Sequence, residues 1–249
     1  MNLFWLYFLY DNTFLPQDAR KKYLYSIAKL DHHMKKRIVV YLTLVCSCFY
    51  LVPTVLAHVP YLEHSDLSVE QPFQVRKSIT QSIAVYSWLE TDWVNLSTDI
   101  DVYSFVIKDK PLRVFLEVIV PVCDGFYANF TPWFALVGPG LPPPNQTLPF
   151  DLPGGCGVIV KQDLPPGSSR QEFYEPFGGK SYYQGPRFDE TINITGTYYV
   201  YYWDHYQTGG DYVAVLGYKE QFPPLDFLRA LINTPLVRRG YELHLPSSQ

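Results

Sequence analysis

The chain has 249 residues, with 20 Lys and Arg against 24 Asp and Glu, for a formal net charge of −4. Past residue 57 the remaining 192 residues hold 13 basic and 21 acidic side chains, a formal charge of −8. That length suits one well-buried domain. The acidic balance excludes nucleic acid and anionic lipid as partners over most of the surface, since phosphates are drawn to a field of opposite sign.

Residues 34 to 57, MKKRIVVYLTLVCSCFYLVPTVLA, read as a secretory signal peptide. Lys35, Lys36 and Arg37 make a positive n-region, Ile38 to Leu56 an apolar h-region, and Val55-Leu-Ala57 a small-residue exit. The alternative is an uncleaved anchor helix, for which about 19 apolar residues are nearly long enough. Residues 1 to 33 precede this signal, and Met1 and Met34 are the only methionines. This stretch is expected to be an over-extended start or a disordered leader. Residues 58 to 222 are expected to be the folded domain, and 223 to 249 a short amphipathic helix and tail.

Cys46 and Cys48 fall in the signal, leaving Cys123 and Cys156. In an oxidising compartment such an isolated pair is most simply a disulfide. Asn95, Asn129, Asn145 and Asn193 each begin an N-x-[ST] sequon, so they are candidate glycosylation sites and expected surface turns.

From Gln81 onward, short β-type runs are separated by Pro, Gly and Asn. Leu112, Val114, Leu116, Val118 and Val120 alternate onto one face of a strand. Further runs are Ile83 to Leu89, Ile100 to Ile107, Trp133 to Val137, Gly157 to Lys161, Glu172 to Tyr174, Ser181 to Tyr183, Thr197 to Trp203 and Tyr212 to Tyr218. About nine strands predict an all-β fold, an antiparallel β-sandwich or jelly roll. Gly138 to Gly155 is too rich in proline for a central strand and is expected to be a long surface loop, pinned by Cys156 to Cys123. Pro223 and Pro224 open a helix with Leu225, Leu228, Leu231 and Ile232 at helical spacing, expected to end at Asn233-Thr-Pro235. That helix is expected to dock on the sandwich, to lie on a membrane surface with Arg238 and Arg239 near headgroups, or to bind a partner.

Asp99-Ile-Asp101-Val-Tyr103-Ser-Phe105, a strand ending near Pro121, Gly196-Thr-Tyr-Tyr-Val200 and Gly210-Asp-Tyr212-Val-Ala-Val together resemble the bacterial pre-peptidase C-terminal domain over residues 80 to 218. Residues 122 to 190 are longer than that pattern and richer in Pro and aromatics. The resemblance implies an accessory β-sandwich of exported proteins without catalytic residues of its own. The chain from Ala57-His-Val-Pro-Tyr-Leu-Glu63 also resembles a group of uncharacterised exported prokaryotic proteins.

Three chemistries are open to these residues. Cleavage after Ala57 would leave His58 at the N-terminus, where α-amine and imidazole together can chelate copper, with His64, His205 and Tyr206 as further candidates. Asp99, Asp101, Asp204 and Asp211 could supply hard oxygen ligands to a structural calcium ion if the early and late strands pair. The alternative for these acids is a set of solvated strand caps. Alternation in 197 to 203 places Tyr199, Tyr201 and Trp203 on one face, a candidate aromatic platform for sugars or a partner. Gly178-Gly-Lys180-Ser181 resembles the end of a P-loop, but Tyr174 stands at its first glycine. No G-x-S-x-G or H-E-x-x-H occurs. The sequence therefore points to an exported, non-catalytic interaction module at the cell surface or in the periplasm, binding protein or glycan. The alternative is a copper-binding or copper-dependent redox protein.

Overall fold

The alternating apolar residues of 112–120 form the strand around which the larger of two sheets is built. Val114, Leu116, Val118 and Val120 are fully buried, while Arg113, Phe115 and Glu117 between them face the other way. The computed structural model describes residues 58–244, apart from 66, 76, 77, 91–98 and 124, together with the helical positions Arg37 and Val40. The chain divides into two compact units, Met1–Val55 and Leu56–Gln249. The expected leader lies outside the described residues, as does the expected signal apart from those two helical positions. No described helix is long and apolar enough to cross a membrane.

Eleven strands follow in order: β1 (Val59–Leu62), β2 (Phe73–Gln74), β3 (Ile83–Leu89), β4 (Ile100–Ile107), β5 (Leu112–Pro121), β6 (Trp133–Pro139), β7 (Cys156–Lys161), β8 (Glu172–Glu175), β9 (Lys180–Ile192), β10 (Gly196–Trp203) and β11 (Gly210–Leu216). The helix α1 (Pro224–Arg238) follows the last strand. The larger sheet has the order β1-β3-β11-β5-β9-β8, the smaller β2-β4-β10-β6-β7. Both are mixed, because β1 pairs with β3, and β2 with β4, in parallel. This corrects the expectation of nine antiparallel strands. The two additional strands are four and two residues long, sit on sheet edges and lie before Gln81, where no alternation marks them.

The core lies between the sheets. Tyr103, Phe105 and Ile107 from β4, Phe134 and Leu136 from β6, and Tyr198, Val200 and Tyr202 from β10 meet the inward residues of β5, β9 and β11. A second apolar cluster covers the outer face of the smaller sheet. There Leu148, Phe150 and Leu152 of the 140–155 segment pack on Val102, Trp133, Val137, Tyr201 and Trp203. The proline-rich loop is thus a lid on a sheet face, held by its own apolar side chains.

Two proline positions depart from expectation. Residues 184–192 continue β9 through Gly185-Pro186, past Tyr183 where the expected run stopped. Glu117 pairs with Arg187 and Ile119 with Gln184, so Gly185 and Pro186 together oppose Val118. This is a bulge, the one interior place where a residue without an N–H fits a sheet. A Cβ on Gly185 would approach the Val118 carbonyl oxygen to 2.6 Å. The helix likewise runs on through Pro235 to Arg238. The carbonyl that Pro235 deprives of a donor belongs to Leu231, on the exposed side of α1.

Candidate functional site

The inward residues of β4 place a carboxylate inside the fold. Asp101 precedes Tyr103 by one full alternation and is buried with it. Tyr212 on β11 donates its hydroxyl to Asp101 Oδ2 at 2.6 Å and lies 3.3 Å from the Tyr103 hydroxyl, which in turn meets Ser87 Oγ at 2.6 Å. Burial, and then the Asp101 charge, push the Tyr103 and Tyr212 phenols well above their ordinary range. Tyr202 packs on both rings, at 4.9 Å from Tyr103 and 5.2 Å from Tyr212. This network ties the two sheets together through hydrogen bonds among its own members.

The other acids do separate work. Asp211, next to Tyr212, points to the opposite face of the larger sheet. It accepts from Tyr127 Oη at 2.6 Å, from the backbone N–H of His244 at 2.7 Å, and meets His244 Nδ1 at 2.7 Å. His244 packs against Trp88 with the rings tilted, and Lys180 pairs with Glu242, so the tail after α1 is fastened across that face. Burial raises the Glu242 carboxyl above its usual range, against the pull of Lys180. Asp204 caps its own turn, accepting from the N–H groups of Tyr206, Thr208 and Gly209. Asp99 accepts from the Glu90 N–H at 2.7 Å. β4 pairs with β10, whereas β11 belongs to the other sheet. The four acids are thus divided between the sheets, Asp99 and Asp204 flanking the paired Ile100 and Trp203 of the smaller one and Asp211 lying on the larger. Tyr127, His244 and Glu242 carried no motif or periodicity, and the P-loop-like run around Lys180 gave no sign of its partner; only the fold brings these four together.

The histidines also stay apart. His58 Nδ1 is hydrogen-bonded to Ser82 Oγ, and burial lowers its imidazole to about 4. His64 is exposed. His205 stacks on Trp133 at 4.0 Å with Tyr206 beside it. Among the described residues no group of three His, Cys, Asp or Glu could hold a metal ion.

The aromatic face of β10 is oriented as the alternation requires but is not open. Tyr201 and Trp203 are each 2% exposed, with Phe150 stacked on Tyr201 at 4.0 Å and edge-on to Trp203 at 5.7 Å. Tyr199 alone of the three lines a groove, of ≈ 670 Å³, with Val106 and Thr197. The expected disulfide is absent: Cys123 and Cys156 are not joined. Cys123 packs against the core between the sheets and Cys156 against the cluster outside the smaller sheet. Asn129, Asn145 and Asn193 are exposed. Asn95 lies outside the described residues.

The remaining feature is α1, which docks by the face opposite to its apolar one. Asp226, Ala230 and Val237 are buried. Asp226 accepts from Gln81 Nε2 at 2.7 Å and pairs with Arg229 at 3.1 Å. Arg229 also donates to Tyr61 Oη at 2.7 Å, and Asn233 Nδ2 to the Pro60 carbonyl at 2.9 Å, fixing the helix to β1. Leu225, Leu228, Leu231 and Ile232 consequently face outward, each more than half exposed. Beside Leu225 a groove of ≈ 630 Å³ runs between α1 and β2, lined by Tyr61, Phe73, Glu70 and Arg229. No protein-family model matches the chain, and no curated protein matches it.

Proposed function

We propose that this chain is an exported, non-catalytic β-sandwich interaction module of the cell envelope, built on the plan of the pre-peptidase C-terminal domain, and that it works by contact through α1. The single observation that carries the reading is the outward aliphatic face of α1. A monomeric surface rarely leaves four large aliphatic side chains side by side in water without a use for them. Of the acids and histidines considered for metal binding, Asp101, Asp204, Asp211 and His58 are engaged in hydrogen bonds within the fold, and His205 stacks on Trp133. Two of the three platform aromatics, Tyr201 and Trp203, lie under Phe150, which favours α1 and its flanking groove as the contact surface.

The test compares capture of cell-envelope components by the wild-type chain and by Leu228→Glu/Ile232→Glu, with thermal melting as the control for folding. Both positions are exposed, so the melt is expected to change little while capture is lost. Equal capture by the two proteins would refute the reading.

A further inference from the structure

The outward face of α1 is convex and purely aliphatic: Leu225 is 76% exposed, Leu228 53%, Leu231 55% and Ile232 57%. These side chains offer no donor, acceptor or aromatic ring to a partner. Two observations indicate what covers them. The first is charge. Residues 224–239 carry Arg229, Arg238 and Arg239 against the single Asp226, a local +2 on a domain whose total is −8. Arg238 and Arg239 are exposed at the end of the aliphatic stripe. A basic flank beside an aliphatic face is the pattern of a helix lying in a membrane interface.

The second observation is connectivity. α1 is bonded to β1 through Asn233 to Pro60 and Arg229 to Tyr61. β1 begins at Val59, two residues or about 7 Å of extended chain past Ala57, where the apolar run 38–56 has ended. If that run occupies a bilayer, β1 and the helix fastened to it are brought to the membrane surface.

We infer that the exposed face of α1 rests in the interfacial zone of a lipid bilayer bearing anionic headgroups. The four aliphatic side chains enter the acyl boundary while Arg239, together with the guanidinium N–H groups of Arg238 not given to the Phe177 and Pro176 carbonyls, meets the phosphates. This rests on the reading of that face as the contact surface and names its occupant.

The full chain is reconstituted into vesicles of phosphatidylcholine alone, and of equal parts phosphatidylcholine and phosphatidylglycerol. Both carry a tracer phosphatidylcholine with a diazirine in its acyl chain. After illumination, peptide mapping is expected to find lipid adducts on 225–232 as well as on 38–56. The α1 yield should be roughly tenfold higher with phosphatidylglycerol, a gain lost in Arg238→Ala/Arg239→Ala. Adducts confined to 38–56 in both compositions would overturn the inference. If Leu228→Glu/Ile232→Glu still abolished envelope capture in that case, the contact surface would stand with a protein occupant. If capture were also unchanged, the contact reading itself would fall.

Discussion

Tyr212, on the larger sheet, donates a hydrogen bond from its phenolic hydroxyl to Asp101 Oδ2, on the smaller sheet, at 2.6 Å. A buried carboxylate that accepts from a phenol across the core costs more to disrupt than an exposed contact of the same length. Tyr212→Phe is expected to lose about 2 kcal/mol in chemical denaturation. Tyr202→Phe, which removes a buried hydroxyl with no hydrogen-bond partner among the described residues, is expected to be neutral or stabilising. Equal losses for the two variants would show that ring packing, and not the bond to Asp101, sets the cost. In alkaline spectrophotometric titration Tyr103, Tyr202 and Tyr212 should stay protonated until the protein unfolds, since burial raises all three.

His58 gives the fold a dependence on acid. Its imidazole titrates at about 4 in the folded chain against 6.5 for the free side chain. Between those values the unfolded chain binds the extra proton, so stability rises with pH across the window. The contribution is fully present above about pH 6.5 and is lost as pH falls toward 4, on the order of 3 kcal/mol in all. Glu117, Asp163 and Glu242, raised by burial, slope the opposite way as their carboxyls ionise. The measurement is therefore the difference between wild type and His58→Gln, from denaturation at about pH 4.5, near the acid end of the window, and at about pH 7, above it. The variant should be less sensitive to acid, and an unchanged pH dependence would remove His58 as the cause.

Phe150 holds the 140–155 loop over Tyr201 and Trp203. Phe150→Ala is expected to cost about 2 kcal/mol, below the range for a fully buried phenylalanine because Phe150 is itself half-buried. It should also expose Trp203 to collisional quenchers of fluorescence. Quenching that matches wild type would mean that Leu148 and Leu152 hold the loop without it.

Cys123 and Cys156 should alkylate as thiols once the purified domain is unfolded without reductant. Reduction should leave its melting temperature unchanged. A mass short by two thiol hydrogens, restored by reductant, would show that the side chains reach each other after all.

The sequence foretold the strands with alternating cores, such as 112–120, because a period of two states which residues face inward. It did not foretell β1 and β2, whose few residues are strands only because a sheet edge lies beside them. β9 was hidden by Gly185-Pro186, a turn signal in isolation and a bulge opposite Val118. At the candidate site, the spacing of Leu225, Leu228, Leu231 and Ile232 showed that the helix has an apolar face. It could not show that Gln81, Tyr61 and Pro60 would bind the opposite face. Likewise, alternation placed Tyr201 and Trp203 on one side of β10, while their cover comes from Phe150, some fifty residues earlier in the chain.

The seat of α1 on β1 also sets an order of events during synthesis. β1 is the first strand of the domain to leave the ribosome, whereas the helix that covers it is made only after every strand of both sheets. Until α1 is complete, the edge at Val59–Leu62 lacks its cover and is open to pairing with other chains. A chain truncated before Pro224 would keep every strand of both sheets yet leave that edge bare, so its defect would appear as self-association of a protein with near-native β content.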